Sequence, residues 1–215
     1  KHIMEFNPHQ IIEGIIIAAK AMGITTTYIY IRGEYHKWAK CVQEAIDDAY
    51  RAGYVGSKMK EKYGINFQTD IYIHKGAGAY ICGEETSLMN SIEGIRAYPR
   101  NKPPFPAVSG LWGKPTTINN IETIATIPAI LKIGAEAFSQ IGAQNYCGNM
   151  LFGVSGSINR PGVYELPTGT LLTDIIYDIC GGIPNNKKLK AIIPGGISMV
   201  PLRGDEIEGL KMDAD

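Results

Sequence analysis

Between Gly76 and Glu93 the sequence reads GAGAYICGEETSLMNSIE. Just before it, Asp70-Ile71-Tyr72-Ile73-His74 alternates polar and apolar side chains, as a half-buried strand does. Thr86 to Ile92 then has helical character and is closed by Gly94. Glycines therefore stand where a strand hands over to a helix. Backbone N–H groups are free at such a junction and the helix dipole is unscreened, which suits a phosphate or another anion. Gly76, Gly78 and Gly83 let a flat or phosphorylated ligand approach the main chain. Tyr80 lies among them and offers a ring and a hydroxyl. Glu84 and Glu85 open the helix. The spacing is G-x-G-x4-G with no following Gly-Lys-Ser/Thr, which departs from both the dinucleotide and the phosphate-loop fingerprints. On spacing alone, the competing reading is a Gly-rich turn whose glutamates merely favour the helix N-terminus.

The flanking sequence sets the fold class. Asn7 and Pro8 start a helix, as N-cap and first helical residue. Ile11, Ile12, Ile15, Ile16 and Ala19 recur at helical spacing, and Gly23 closes it. Thr25 to Ile31 is β-branched and aromatic, hence a buried strand. Arg32-Gly33-Glu34-Tyr35 ends this strand, either as a turn with an Arg–Glu pairing or as a ligand contact. Tyr35 to Ala52 is an amphipathic helix. Gly56 to Gly64 reads as a basic, solvated connection, and Ile65 to His74 as the next strand. Such helix–strand alternation predicts an α/β layer with a largely parallel sheet. The glycine loop then emerges at the C-terminal end of a strand, where open α/β sheets bind ligands.

Further along, Pro99 to Pro106 is too proline-rich for a regular element. It is either a surface linker or a stiff wall holding Lys102 and Phe105. Thr116 to Asn120 opens a helix; Asn119 and Asn120 are caps or amide donors and acceptors for a ligand. Ile127 to Ile141 reads as helical and Gly142 to Gly148 as a linker. Met150 to Ser155 and Gly162 to Leu166 form two strands. Leu171 to Cys180 forms a helix with Leu172, Ile175, Ile176 and Ile179 inward, and Leu189 to Ile193 a third strand. That order, β-β-α-β, predicts a small β-grasp domain. Pro194-Gly195-Gly196 is read as a turn, and Asp205 to Asp215 as an acidic exposed tail or linker. The expected domains are 1–147, 148–204 and the tail 205–215.

Composition excludes several classes. The net charge of the 215-residue chain is zero, so no basic excess is available for a nucleic acid backbone. The longest apolar run, Gly14 to Ala19, lies between Glu13 and Lys20 and is far short of a membrane span. No signal-peptide pattern opens the sequence. Cys41, Cys82, Cys147 and Cys180 are widely separated, without a C-x-x-C pair. The cysteines therefore supply no local ligand set for zinc or an iron–sulfur cluster, and reduced thiols in a cytoplasmic protein are expected. Cys82 has no adjacent cation or second cysteine and is read as an unreactive thiol. The four histidines show no metal spacing.

The segments GAGAYICGEETSLMNSIEG and PRNKPPFPAVSGLWGKPTTINNIET, with Ile31-Arg32-Gly33-Glu34-Tyr35 and Ile193-Pro194-Gly195-Gly196, resemble the family of flavoprotein subunits of respiratory complex I, the NADH-quinone oxidoreductase. They are similar also to the flavin subunits of NAD(P)-linked iron–iron hydrogenases and NAD-dependent formate dehydrogenases. The resemblance covers essentially the whole chain. It implies a partial Rossmann-like FMN-binding domain followed by a ubiquitin-like, soluble-ligand-binding β-grasp domain. It also implies hydride transfer from NADH to FMN, with electrons passing to iron–sulfur clusters and finally quinone. By the same resemblance, Gly76, Gly78, Tyr80, Gly83, Glu84, Ile118, Asn119 and Asn120 form the FMN wall. Glu85 binds a ribose of NADH and repels the extra phosphate of NADPH, Lys102 lies near the pyrophosphate and Phe105 against the adenine. No catalytic side chain and no metal ligand is implied. The family's 4Fe-4S ligands are expected in a domain beyond this chain, and a Gly-rich flavin-binding segment before it, so the chain reads as an excised middle fragment. Expected partners are NADH and other peripheral-arm subunits, above all the two-iron cluster subunit, in a complex peripheral to the inner membrane. The competing readings are the hydrogenase or formate dehydrogenase flavin subunit, and a non-catalytic assembly or binding module.

Overall fold

The isoleucine pattern near the N-terminus does form a helix. In the computed structural model, which describes residues 1–213, Ile11, Ile12 and Ile15 are buried on one face of it. The chain divides into two compact units, Lys1–Lys132 and Ile133–Asp215.

The first unit opens with α1 (His2–Phe6), α2 (Pro8–Met22), β1 (Thr26–Ile31), α3 (His36–Ala52), α4 (Lys58–Tyr63) and β2 (Asp70–Lys75). A 3-10 turn at Tyr80–Gly83, α5 (Glu85–Ile92), a 3-10 turn at Leu111–Gly113 and α6 (Ile121–Ile133) complete it. Asn7 holds the N-cap position of α2, yet its amide bonds to Gln10 Oε1 at 2.8 Å instead of capping the helix. Gly23 ends α2 in the left-handed region at φ 70°, which a side chain would strain.

β1 and β2 pair in parallel, from Thr26 opposite Asp70 to Ile31 opposite Lys75. Alternation along both strands gives the sheet two unlike faces. Ile29, Ile31 and Ile71 enter one core with Ile11 and Ile12 of α2, Val42 and Ile46 of α3, and Ala125 of α6. The other face is aromatic. Tyr28 stacks on Tyr72 at 5.6 Å, Tyr30 on His74 at 5.4 Å, and Trp112 meets Tyr28 edge-on. Among the described residues β1 pairs only with β2, so its other edge carries unpaired backbone groups. A trough of about 790 Å³ runs along that edge, lined by α2, α5 and residues 111–119.

Two expectations in this unit are corrected. The segment 65–69 lies outside β2, with Ile65 exposed. The basic connection 56–64 contains α4, whose Met59 is buried, as is Val55 before it: an apolar residue among the lysines turns inward while the charges stay out.

The second unit contains α7 (Ala135–Ser139), β3 (Gly142–Ala143), β4 (Tyr146–Cys147), β5 (Asn149–Val154), β6 (Gly162–Pro167), β7 (Thr170–Leu171) and α8 (Leu172–Asp174). β8 (Ala191–Ile192), β9 (Leu202–Arg203) and β10 (Lys211–Met212) follow. β5 and β6 make an antiparallel hairpin, and β3–β4, β8–β9 and β7–β10 are short antiparallel pairs. α8 continues as a π-helical turn through Ile179. The wider turn brings Cys180 rather than Ile179 fully inside.

Residues 133–147, assigned by sequence to the first domain, fall in this second unit. Thr168 secures them: it donates to Tyr146 O and accepts the Ala143 N–H. The stretch read as an exposed tail is built in as far as it is described. Ile207 joins Leu172 and Ile176 in the core, and Lys211–Met212 pair with Thr170–Leu171. Residues 214 and 215 lie outside the described residues.

Candidate functional site

The two parallel strands leave the sheet side by side. The Gly76 N–H still donates to Ile31 O at 2.8 Å, and a Cβ on Gly33 would lie 2.4 Å from Gly76 O. Only glycine fits there, so the Arg32–Glu34 and Gly76–Gly78 exits are pressed together at the C-terminal ends of the strands. The Arg32–Glu34 pairing expected from sequence forms, at 3.2 Å. Beyond Gly76 the loop opens. Gly78 has φ 90°, and a Cβ on Gly83 would meet nothing within 4 Å. Tyr80 is 98% exposed, whereas Cys82 is buried.

Glu84 is the N-cap of α5. Its Oε2 accepts the Thr86 N–H at 2.9 Å, the Ser87 N–H at 2.8 Å and the Thr86 hydroxyl at 2.5 Å. Burial opposes ionisation here, but the Thr86 hydroxyl and the two N–H groups outweigh it and hold the carboxyl down at about 2. This corrects the expectation of a vacant anion seat: the Thr86 and Ser87 N–H groups of the first turn are taken by the chain's own carboxylate. The ammonium of Lys102 bonds to Glu85 and lies 3.8 Å from Glu84 Oε1. The Glu85 hydrogen bond is the main influence raising the Lys102 pKa.

The structure therefore brings Glu84, Glu85 and Lys102 together. Phe105, in the same loop as Lys102, is exposed. Ile118 and Asn119 do not join this cluster; they line the trough beside β1. Asn120 Oδ1 caps α6 by accepting the Glu122 N–H at 2.8 Å, the plainer of the two roles read from sequence. Among the described residues no group of three or more His, Cys, Asp or Glu could hold a metal ion.

Sequence reasoning missed four residues that organise this site: Thr86, Asn90, Glu93 and Arg100. Arg100 Nε donates to Asn90 Oδ1 at 2.7 Å, Nη1 to Gly110 O at 3.1 Å and Nη2 to Glu93 Oε2 at 2.6 Å. Burial opposes ionisation of Glu93, but Arg100 and the Trp112 N–H hold its carboxyl below the usual range. The available signal was a lone arginine in a proline-rich run following a helix that carries an unexplained glutamate.

Fold and site together define a mixed α/β protein: a strand–loop–helix junction presents two carboxylates and an ammonium, and a β-rich module follows. The family described as the Nuo51 FMN-binding domain matches residues 1–129, and the SLBB domain matches residues 151–202. The chain belongs to the Nuo51 FMN-binding family. It is 49% identical over 195 residues to the F subunit of the NADH-quinone oxidoreductase of Aquifex aeolicus (strain VF5), covering 91% of this chain and 45% of that protein. Against the corresponding F subunit of Rickettsia bellii (strain OSU 85-389) the identity is 47%, covering 100% of this chain and 51% of the relative. The chain spans about half the length of the curated relatives it matches. Among solved structures, that of an NAD+-reducing [NiFe]-hydrogenase in the air-oxidized state matches with TM-score 0.78 and 30% identity, covering 95% of this chain and 33% of that one.

Proposed function

We propose that this chain is the NADH- and FMN-handling part of an NADH dehydrogenase flavoprotein subunit. The parent moves hydride from NADH to FMN and passes electrons through iron–sulfur clusters to quinone. The observation that carries this reading is the Glu84–Glu85–Lys102 cluster at the strand exits of an FMN-binding family domain.

The loop fits a flavin. Gly83 leaves the main chain bare toward open space, a Cβ on Gly78 would meet only Glu34 Oε1 at 3.9 Å, and Tyr80 is exposed beside them. Gly76, Gly78, Tyr80, Gly83 and Glu84 would hold its ring side, with Ile118, Asn119 and Asn120 completing the wall. The N-terminus of α5 is unsuited to its phosphate because Glu84 already occupies those N–H groups. When bound, FMN supplies the hydride acceptor and the switch to single-electron chemistry.

The chain's own residues bind and select. Glu85 accepts ribose hydroxyls of NADH and repels a 2′-phosphate by like charge. Lys102 balances that carboxylate and faces the pyrophosphate, and Phe105 offers its exposed ring to the adenine. We read the first unit as part of a Rossmann-like domain and the second as a ubiquitin-like β-grasp domain. No helix among the described residues is long and apolar enough to cross a membrane. The proposed setting is the peripheral arm of a membrane-bound complex, next to the subunit with the two-iron cluster, with the 4Fe-4S cluster held elsewhere in the parent. The hydrogenase likeness supports a second reading, the flavin subunit of an NAD-linked hydrogenase. The lower identity, 30% against 49%, places it second.

The test is to titrate the purified chain with FMN and then add NADH anaerobically, following the visible spectrum. Saturable binding and bleaching by NADH are expected. Binding without bleaching overturns the NADH assignment. No binding, either by the chain or by a full-length subunit containing it, overturns the flavin assignment.

A further inference from the structure

We infer that Arg100 is a positioning residue: it fixes the proline-rich wall carrying Lys102 and Phe105 against α5, and so sets NADH affinity without touching the nucleotide. This rests on the nucleotide reading above.

The segment from Tyr98 to Trp112 is tied to the side of α5 and its C-cap that carries Thr86, Asn90 and Glu93. Asn90 Nδ2 donates to Tyr98 O at 2.7 Å, and the Arg100 N–H donates to Thr86 Oγ1 at 2.8 Å. The Arg100 guanidinium bonds to Asn90 and Glu93 and, within the segment, to Gly110 O, and the Trp112 N–H donates to Glu93 Oε1 at 2.7 Å. All of these ties except Asn90–Tyr98 involve Arg100 or the carboxylate it holds. Its side chain is only 27% exposed and that of Glu93 16%. Residues 101–109 form an arch between these feet, held once more where Pro106 O accepts the Thr116 N–H at 2.9 Å, with Lys102 reaching Glu85 from within it.

A second link runs to the carboxylates. The Thr86 hydroxyl accepts from the Arg100 backbone and donates to Glu84, so the foot of the arch and the acidic pair share one hydrogen-bonded chain. A wall fixed before the ligand arrives spares the cost of ordering it on binding. Arginine suits this task because one planar fork serves three acceptors in different directions; a lysine ammonium cannot reproduce that geometry.

The experiment compares the unaltered chain with Arg100→Lys and the milder Glu93→Gln. It measures backbone amide exchange without ligand, and then NADH and FMN binding by fluorescence titration. Arg100→Lys should speed exchange within 101–112 and leave the β1 and β2 amides unchanged. It should weaken NADH binding about tenfold while FMN affinity changes less than about twofold, as expected for losing hydrogen bonds to a charged group. Glu93→Gln should move the same readouts by less, and it keeps the test open if Arg100→Lys does not fold. A loosened arch with unchanged NADH affinity overturns the inference, as does an arch that does not loosen. If the unaltered chain binds FMN but no NADH, the nucleotide reading itself falls, and the inference with it.

Discussion

The Thr86 hydroxyl donates to Glu84 Oε2 at 2.5 Å, and through this bond the helix N-terminus holds its own anion. The depressed pKa of Glu84 makes that a pH-dependent contribution. The ordinary side chain titrates at 4.5, whereas here it does so at about 2. Stabilisation by the ionised carboxylate is therefore complete above 4.5 and is lost as pH falls through about 2. The difference in thermal midpoint between the unaltered chain and Glu84→Gln should be widest above pH 4.5 and shrink toward pH 2. A difference independent of pH would mean that Glu84 is not held ionised by these donors.

The two glycines of the strand exits and the open loop should respond unequally to an added methyl. Gly33→Ala places a Cβ 2.4 Å from the Gly76 carbonyl oxygen, a backbone atom that cannot rotate away. We expect a loss of about 1–3 kcal/mol in urea unfolding of the first unit. Gly83→Ala meets no atom within 4 Å and should stay within about 0.5 kcal/mol of the unaltered chain.

Charge selection should reside in Glu85 and Lys102. Glu85→Ala should weaken NADH binding and lower the preference for NADH over NADPH by about tenfold, the scale of one well-placed charge contact. Lys102→Met leaves two carboxylates unbalanced and should weaken both nucleotides. Unchanged titration curves for Glu85→Ala would remove this residue from the site.

The end of the second unit should behave as core. Ile207 is 3% exposed and packs against Leu172 and Ile176. Ile207→Ala should cost about 2–5 kcal/mol, read by urea denaturation followed by circular dichroism. An exposed tail would tolerate the change without effect.

The elements legible in the sequence were those in which one period dominated. Ile11, Ile12 and Ile15 announce α2, and Thr25 to Ile31 announces β1, because burial on one side leaves a regular trace. The gathering of Glu84 and Glu85 at a strand-to-helix junction was legible for the same reason. What Glu84 does there was not, since a carboxylate that caps its own helix and one that awaits a ligand have the same spelling. Arg100 was missed because its three acceptors lie on α5 and at Gly110, contacts that only tertiary folding brings together. Ile207 was hidden by the acidic residues around it: a single buried anchor has no period. The boundary drawn at Cys147 missed the side-chain bonds by which Thr168 holds residues 143 and 146.

The unpaired edge of β1 also governs how this chain behaves in a test tube. Thr26–Ile31 contains no proline and no lysine, the residues that usually discourage a neighbour from adding a strand. An unpaired row of donors and acceptors beside an apolar trough is a template, and the first candidate to use it at high concentration is another copy of the same strand. The chain's net charge of zero provides little overall repulsion against such pairing, so colloidal stability during refolding depends on whether something occupies that edge. A polypeptide laid along β1 would protect the chain from itself.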